Sequence, residues 1–279
     1  MKQFAVLSLI AFTFASTLSA QNNRYPFDVK ISGKGKQSII FIPGFASSGE
    51  VWNETKAIYE RDHTCYTLTM AGFAGTSAQE NPTFKSWEDG IAKYISDYKI
   101  RKPIIIGHSM GGGLALAIAS DYPGLPLKII VVDALPCLAA AMNPAFASKP
   151  DIDCSPITKQ ITAASQDEFY AMQQQSIKRL MEDATRQEMV VGWSMKCDRN
   201  TFGQMYCDFS NTDLRQKISG ITCPAMVLLE FPFVNLKSAI AEQYQNLKTA
   251  DLRYATKGLH FIMYDDTKWY DEQLADFIR

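Results

Sequence analysis

Residues 104–113 read Ile104-Ile105-Ile106-Gly107-His108-Ser109-Met110-Gly111-Gly112-Gly113. Three consecutive branched apolar residues with no polar alternation form the pattern of a short strand covered on both faces. The run after Ser109, as far as Tyr122, is rich in Gly, Ala and Leu and suits a helix packed tightly against a sheet. Between the two stands G-x-S-x-G, here Gly107, Ser109 and Gly111. A serine on a sharp strand-to-helix turn needs neighbours two residues away without side chains, and both glycines meet that need. The helix start that follows directs N–H groups and partial positive charge at an anion forming beside the serine. The pentapeptide alone arises by chance, but its placement between strand and helix patterns makes Ser109 a candidate nucleophile.

The rest of the chain extends the same alternation. Upstream, residues 28–32 and 38–42 read as strands joined by Gly33-Lys34-Gly35-Lys36. Residues 51–60 read as helix and 65–70 as strand. A helix over 86–98 places Ile91, Tyr94, Ile95 and Tyr98 on one face. Downstream, strand patterns cover 127–132, ending at Asp133, then 225–229 and the region near 252–254. Helical patterns cover 236–247 and run from 267 to the last residue. Strands alternating with helices specify an α/β chain with a mostly parallel central sheet flanked on both faces. Residues 134–212 carry no strand pattern. Their clearest helix is 167–181, with Phe169, Met172, Ile177 and Leu180 as apolar points. This block reads as a helical cap insertion over one edge of the sheet, which leaves 21–133 and 213–279 as the core.

Composition narrows the function. Of 279 residues, 47% are hydrophobic and 20% charged, which is a globular balance. Lys plus Arg total 28 against 29 Asp plus Glu, so there is no cationic surplus for nucleic acid. Lys2, an apolar run to about Leu18 and small residues ending at Ala20 read as a secretory signal peptide cleaved after Ala20. That implies a secreted or periplasmic protein with no membrane span after cleavage. Export permits disulfides among Cys65, Cys137, Cys154, Cys197, Cys207 and Cys223. At least one bridge is expected within 137–207, whereas Cys65 and Cys223 sit in strand-like contexts that suit buried free thiols. No cysteine pair has zinc-finger spacing, and neither a metal nor an organic cofactor is implied.

A serine nucleophile needs a base. The chain has three histidines, His63, His108 and His260. His108 adjoins Ser109 on the turn itself and cannot reach across a site. His63 precedes a strand upstream. His260 follows the last strand, and the chain order of serine before a late histidine is that of the α/β-hydrolase arrangement.

On these residues the chain resembles α/β-hydrolase-fold serine hydrolases of the esterase/lipase type with a helical cap. Ile40-Phe41-Ile42-Pro43-Gly44-Phe45 resembles the family's oxyanion-loop segment, and Met70-Ala71-Gly72-Phe73-Ala74-Gly75-Thr76-Ser77 its D-x-P-G-x-G-x-S stretch. Gly107–Gly112 resembles the nucleophile elbow, 213–227 the passage from cap to sheet, and Gly258-Leu259-His260-Phe261-Ile262-Met263 the histidine loop. The resemblance implies that the amides of Phe45 and Met110 form the oxyanion hole. It also implies acyl transfer through a Ser109 acyl-enzyme.

The chain departs from the pattern in three places. Pro43 replaces the usual His before the oxyanion glycine, and Met70 replaces the usual Asp. The loop after 225–229, where the triad acid normally lies, reads Glu230-Phe231-Pro232-Phe233-Val234-Asn235 and holds no Asp. Two acids are candidates. Asp133, at the end of the strand after the elbow helix, is preferred, and Glu230 is the alternative. An acid-free dyad is a third arrangement. Ser109 argues against dehalogenases and epoxide hydrolases, whose elbow nucleophile is Asp. Hydrolysis of a carboxylic ester of a small molecule is the default reading. Amidase or peptidase, lactonase and perhydrolase activities share the triad, and a non-catalytic binding protein of the same fold stands as the other class.

Overall fold

The computed structural model describes residues 24–279. The leader read at 1–20 lies outside them. Seven strands form one sheet: β1 (Phe27–Ser32), β2 (Gln37–Ile42), β3 (His63–Met70), β4 (Ile104–His108), β5 (Lys128–Val132), β6 (Ala225–Leu229) and β7 (Ala250–Tyr254). Their order is β1-β3-β2-β4-β5-β6-β7. The β1–β3 pair is antiparallel, with Phe27 opposite Met70, and the other pairs are parallel.

The helices are α1 (Asn53–Tyr59), α2 (Phe84–Asp97), α3 (Met110–Asp121), α4 (Ser155–Ala163), α5 (Gln166–Lys178), α6 (Ala184–Met195), α7 (Arg199–Ser210), α8 (Lys237–Tyr244), α9 (Ile262–Asp265) and α10 (Thr267–Ile278). This is the mostly parallel, helix-flanked sheet that the alternating pattern specifies.

The strands sort their side chains by the period of two. Ile40, Ile42, Ile105, Ile129, Val131 and Val227 enter one core with Trp87, Ile91 and Ile95 of α2 and Leu114 and Ile118 of α3. Ile39, Phe41, Ile104, Ile106, Ile130, Val132 and Leu228 enter the other with Trp52, Tyr59 of α1, and Tyr270 and Leu274 of α10. Because both faces are covered, β4 and β6 are buried at every position. That burial is why these strands read as unbroken apolar runs.

Two boundaries fall earlier than the sequence pattern. The third strand begins at His63, which pairs with Gln37, and the last begins at Ala250.

Helices α4–α7 occupy the stretch between β5 and β6, where the sequence signals one helix clearly. They sit over the carboxyl ends of the strands and line a cavity with Gly44, His108, Asp133 and Glu230. The expected position over a sheet edge is corrected by topology. β5 is interior, between β4 and β6, so the chain leaving it emerges at the strand ends.

Cys154, just before α4, is bridged to Cys207 of α7, with Cα atoms 5.6 Å apart. Cys65, Cys137, Cys197 and Cys223 are free and buried. Among the described residues, no helix is long and apolar enough to cross a membrane.

Candidate active site

Ser109 stands between β4 and α3 with φ 54° and ψ −123°, a conformation that L residues rarely adopt. The turn is locked by local bonds. Ser109 N–H donates to Val132 O at 2.8 Å, and Ser109 O accepts from Gly113 N at 3.0 Å. A Cβ at Gly107 would lie 2.1 Å from Gly111 O, and one at Gly111 would lie 2.3 Å from Ile42 O. The two glycines are therefore required by backbone approach, as the sequence motif implies.

The carboxylate candidate Asp133 stands at the end of β5. Asp133 follows its last residue, has φ 49°, and is 3% exposed. Its own N–H donates to Leu228 O of the neighbouring strand at 2.7 Å. Asp133 Oδ2 lies 2.6 Å from His260 Nδ1, and Oδ1 accepts the Glu230 backbone N–H at 2.7 Å. Of the two candidate carboxylates, Asp133 is thus the one against the imidazole, and Glu230 contributes its amide to hold Asp133. With Nδ1–H facing the carboxylate, Nε2 is left as the ring nitrogen able to take a proton.

His260 lies in the loop between β7 and α9. Burial works against its cation, but the hydrogen bond and charge of Asp133, helped by the charge of Glu230, outweigh it and raise its pKa above the usual 6.5. Burial first, then the neighbouring Asp133, pushes Glu230 up to about 7.

His108 has a part that the sequence reading did not assign. Its Nε2 lies 3.0 Å from the backbone carbonyl of His260, and the two rings are 4.6 Å apart. A carbonyl only accepts, so Nε2 carries the proton and donates it. Complete burial, and then the proximity of His260, hold the His108 pKa well below 6.5, so the ring stays neutral. His108 therefore steadies the loop that carries His260.

Asp265 of α9 steadies the same loop from the other side. Its carboxylate accepts from Leu259 N at 2.9 Å and from Glu182 N and Asp183 N at 3.0 Å, joining the histidine loop to the turn between α5 and α6. Phe261 N–H adds a bond to Leu180 O at 3.2 Å.

Ser109, His260, Asp133 and Glu230 line one cavity of about 690 Å³, together with Phe45. Met110 is fully buried at the first position of α3, where its N–H has no partner four residues back within the helix. The loop carrying Phe45 is fixed at Ala46, which has φ 53° and whose carbonyl lies 3.8 Å from Cys197 Sγ. The Phe45 ring packs on Phe73 and on Phe202 of α7. Among the described residues, no cluster of three His, Cys, Asp or Glu is placed to hold a metal.

A serine of positive φ at a strand-to-helix turn thus lines one cavity with a histidine that is paired to a buried carboxylate. Residues 37–210 match the model of the alpha/beta hydrolase fold, and the chain belongs to that family.

Among curated relatives, the pimeloyl-[acyl-carrier protein] methyl ester esterase of Wigglesworthia glossinidia brevipalpis is 27% identical over 112 residues, 40% of this chain and 42% of that protein. The one from Proteus mirabilis (strain HI4320) is 24% identical over 196 residues, 69% of this chain and 73% of that protein. The first such relatives are thus matched over less than half their length. Among solved structures, the enol-lactonase from Burkholderia xenovorans LB400 superposes with a TM-score of 0.75 at 14% identity, covering 92% of this chain and 97% of that one. That likeness is one of fold.

Proposed function

We propose that this protein is a serine hydrolase that cleaves a carboxylic ester of a small molecule, with Ser109 as nucleophile, His260 as base and Asp133 as the acid that orients it. The observation that carries the reading is the 2.6 Å contact of Asp133 Oδ2 with His260 Nδ1 in the cavity that also holds Ser109. In the reaction, Ser109 Oγ attacks the ester carbonyl carbon while its proton passes to His260 Nε2. The carbonyl oxygen becomes an oxyanion held by the Phe45 and Met110 amides. Collapse breaks the carbon–oxygen bond, and His260 returns the proton to the departing alcohol. Water, deprotonated by His260, then releases the acid from Ser109 by the same steps. Asp133 keeps Nδ1 protonated and balances the imidazolium.

Ester substrates are supported by the names of two curated relatives, both methyl ester esterases. Residues 134–212 act in this reading as a cap that closes the cavity. The reading includes export with removal of 1–20, which the Cys154–Cys207 bridge supports, because such bonds persist in oxidising compartments.

The test is the intact mass of residues 21–279 after treatment with a fluorophosphonate probe, beside Ser109→Ala. Stoichiometric labelling lost in the variant is the expected result. A folded protein that does not label would put the non-catalytic binder ahead.

A further inference from the structure

The inward stripe of α5 repeats every fourth residue: Phe169, Gln173 and Ile177 are its buried positions. Phe169 packs on Phe202 with ring centroids 5.1 Å apart, and Ile177 belongs to the second core. Between them stands a carboxamide on a residue only 7% exposed. It makes no hydrogen bond to another described residue, and it is not among the sealed polar atoms that lack a partner. Its polar end therefore opens into the cavity that Gln173 lines with Ser109 and His260.

A ligand that covers this amide without replacing the hydrogen bonds it can make to solvent loses affinity, and one that supplies a partner does not. Leu135, Ile161, Ile177, Phe202 and Phe233 supply apolar wall around it. Among the described residues no Lys or Arg lines the cavity, whereas Asp133 and Glu230 do. A further carboxylate brought in by a substrate would be buried without a cation. A plain alkyl chain would cover the Gln173 amide without giving it a partner. A neutral group fits both constraints, because one carboxamide offers a donor and an acceptor together.

We propose that Gln173 selects the substrate, and that the preferred acyl chain is uncharged and carries a neutral hydrogen-bonding group, such as a carbonyl or hydroxyl, away from the reacting ester. This rests on the serine hydrolase reading.

The test uses 4-nitrophenyl esters of acyl chains graded in length. Each length is made in three forms: plain alkyl, ending in a methyl ketone, and ending in a carboxylate. At the best length, kcat/KM for the ketone should exceed that for the plain chain by about tenfold, the effect of one well-placed hydrogen bond, and the carboxylate should be slowest. In Gln173→Leu the ketone-to-plain ratio should fall to about one. Gln173→Met is the second variant should the branched side chain disturb α5.

Equal rates for ketone and plain chains at every length in the native protein would overturn the proposal. So would a ratio that survives both substitutions, or a fastest carboxylate ester. Fluorophosphonate labelling separates the two readings. A protein that labels but does not discriminate loses only the Gln173 proposal. One that is folded and fails to label loses the serine hydrolase reading and this one with it.

Discussion

Asp133 and Glu230 stand on either side of one hydrogen bond, yet their substitutions should differ sharply. In Asp133→Asn the partner of His260 Nδ1 loses its charge and its preference for the Nδ1–H tautomer. Turnover on an activated ester should fall by about 10³–10⁴. Glu230 reaches Asp133 through its backbone amide, which Glu230→Gln keeps, so turnover there should stay within about tenfold. The reverse ranking in steady-state assays would remove Asp133 from the role proposed for it.

The pH dependence has a definite sign. The reaction needs neutral His260, and its pKa is raised, so kcat/KM should climb with pH through an apparent pKa above 6.5. In Asp133→Asn that acidic limb should move to lower pH. Glu230, at about 7, titrates in the same range, so the limb belongs to the pair rather than to the imidazole alone. These residues differed in how far the sequence revealed them. Ser109 and His260 are legible because their chemistry is written into short segments with strong local constraints. The acid is legible only as a preference for Asp133 over Glu230, because its position depends on β5 and β6 ending side by side, which strand pairing decides. The roles of His108 and Asp265 are hidden for the same reason, since each acts through a backbone partner far along the chain.

Among the elements, the β4–turn–α3 unit should be the least forgiving. In Gly107→Ala the new methyl carbon would meet the Gly111 carbonyl, a backbone group that cannot swing aside. The denaturation midpoint should drop by the equivalent of about 4 kcal/mol or more, or the protein should fail to accumulate. Gly192, inside α6, is the contrasting case. A Cβ there meets nothing within 4 Å, so Gly192→Ala should stabilise by about 0.5–1 kcal/mol through helix propensity. The core strands and α2, α3 and α10 are legible because each buries a regular stripe or an unbroken run. α4, α6 and α7 are not. α4 packs on α7 and α6 on α5, and α7 turns a side with Cys207 toward the bridge rather than a simple apolar face. Gln173 misleads a reading by periodicity altogether, since a polar residue at a stripe position looks like the edge of the apolar face rather than part of the cavity wall.

Across the whole molecule, the bonds that hold the α4–α7 block include a covalent one and a shared carboxylate. The Cys154–Cys207 bridge closes a loop with a separation of 53 residues. Removing it should cost about 4 kcal/mol in the chain-entropy account, read as a lower thermal midpoint for Cys154→Ser with Cys207→Ser. The shared carboxylate is that of Asp265, which gathers the amides of Glu182, Asp183 and Leu259. Asp265→Ala should lower the melting temperature and the hydrolysis rate together, because it frees the α5–α6 turn and the loop holding His260 at once. A second-site change that restores the melting temperature but not the rate would confirm the coupling. This shared anchor works as an interlock. Whatever loosens the α5–α6 turn slackens the loop that carries His260 as well, because one carboxylate holds both.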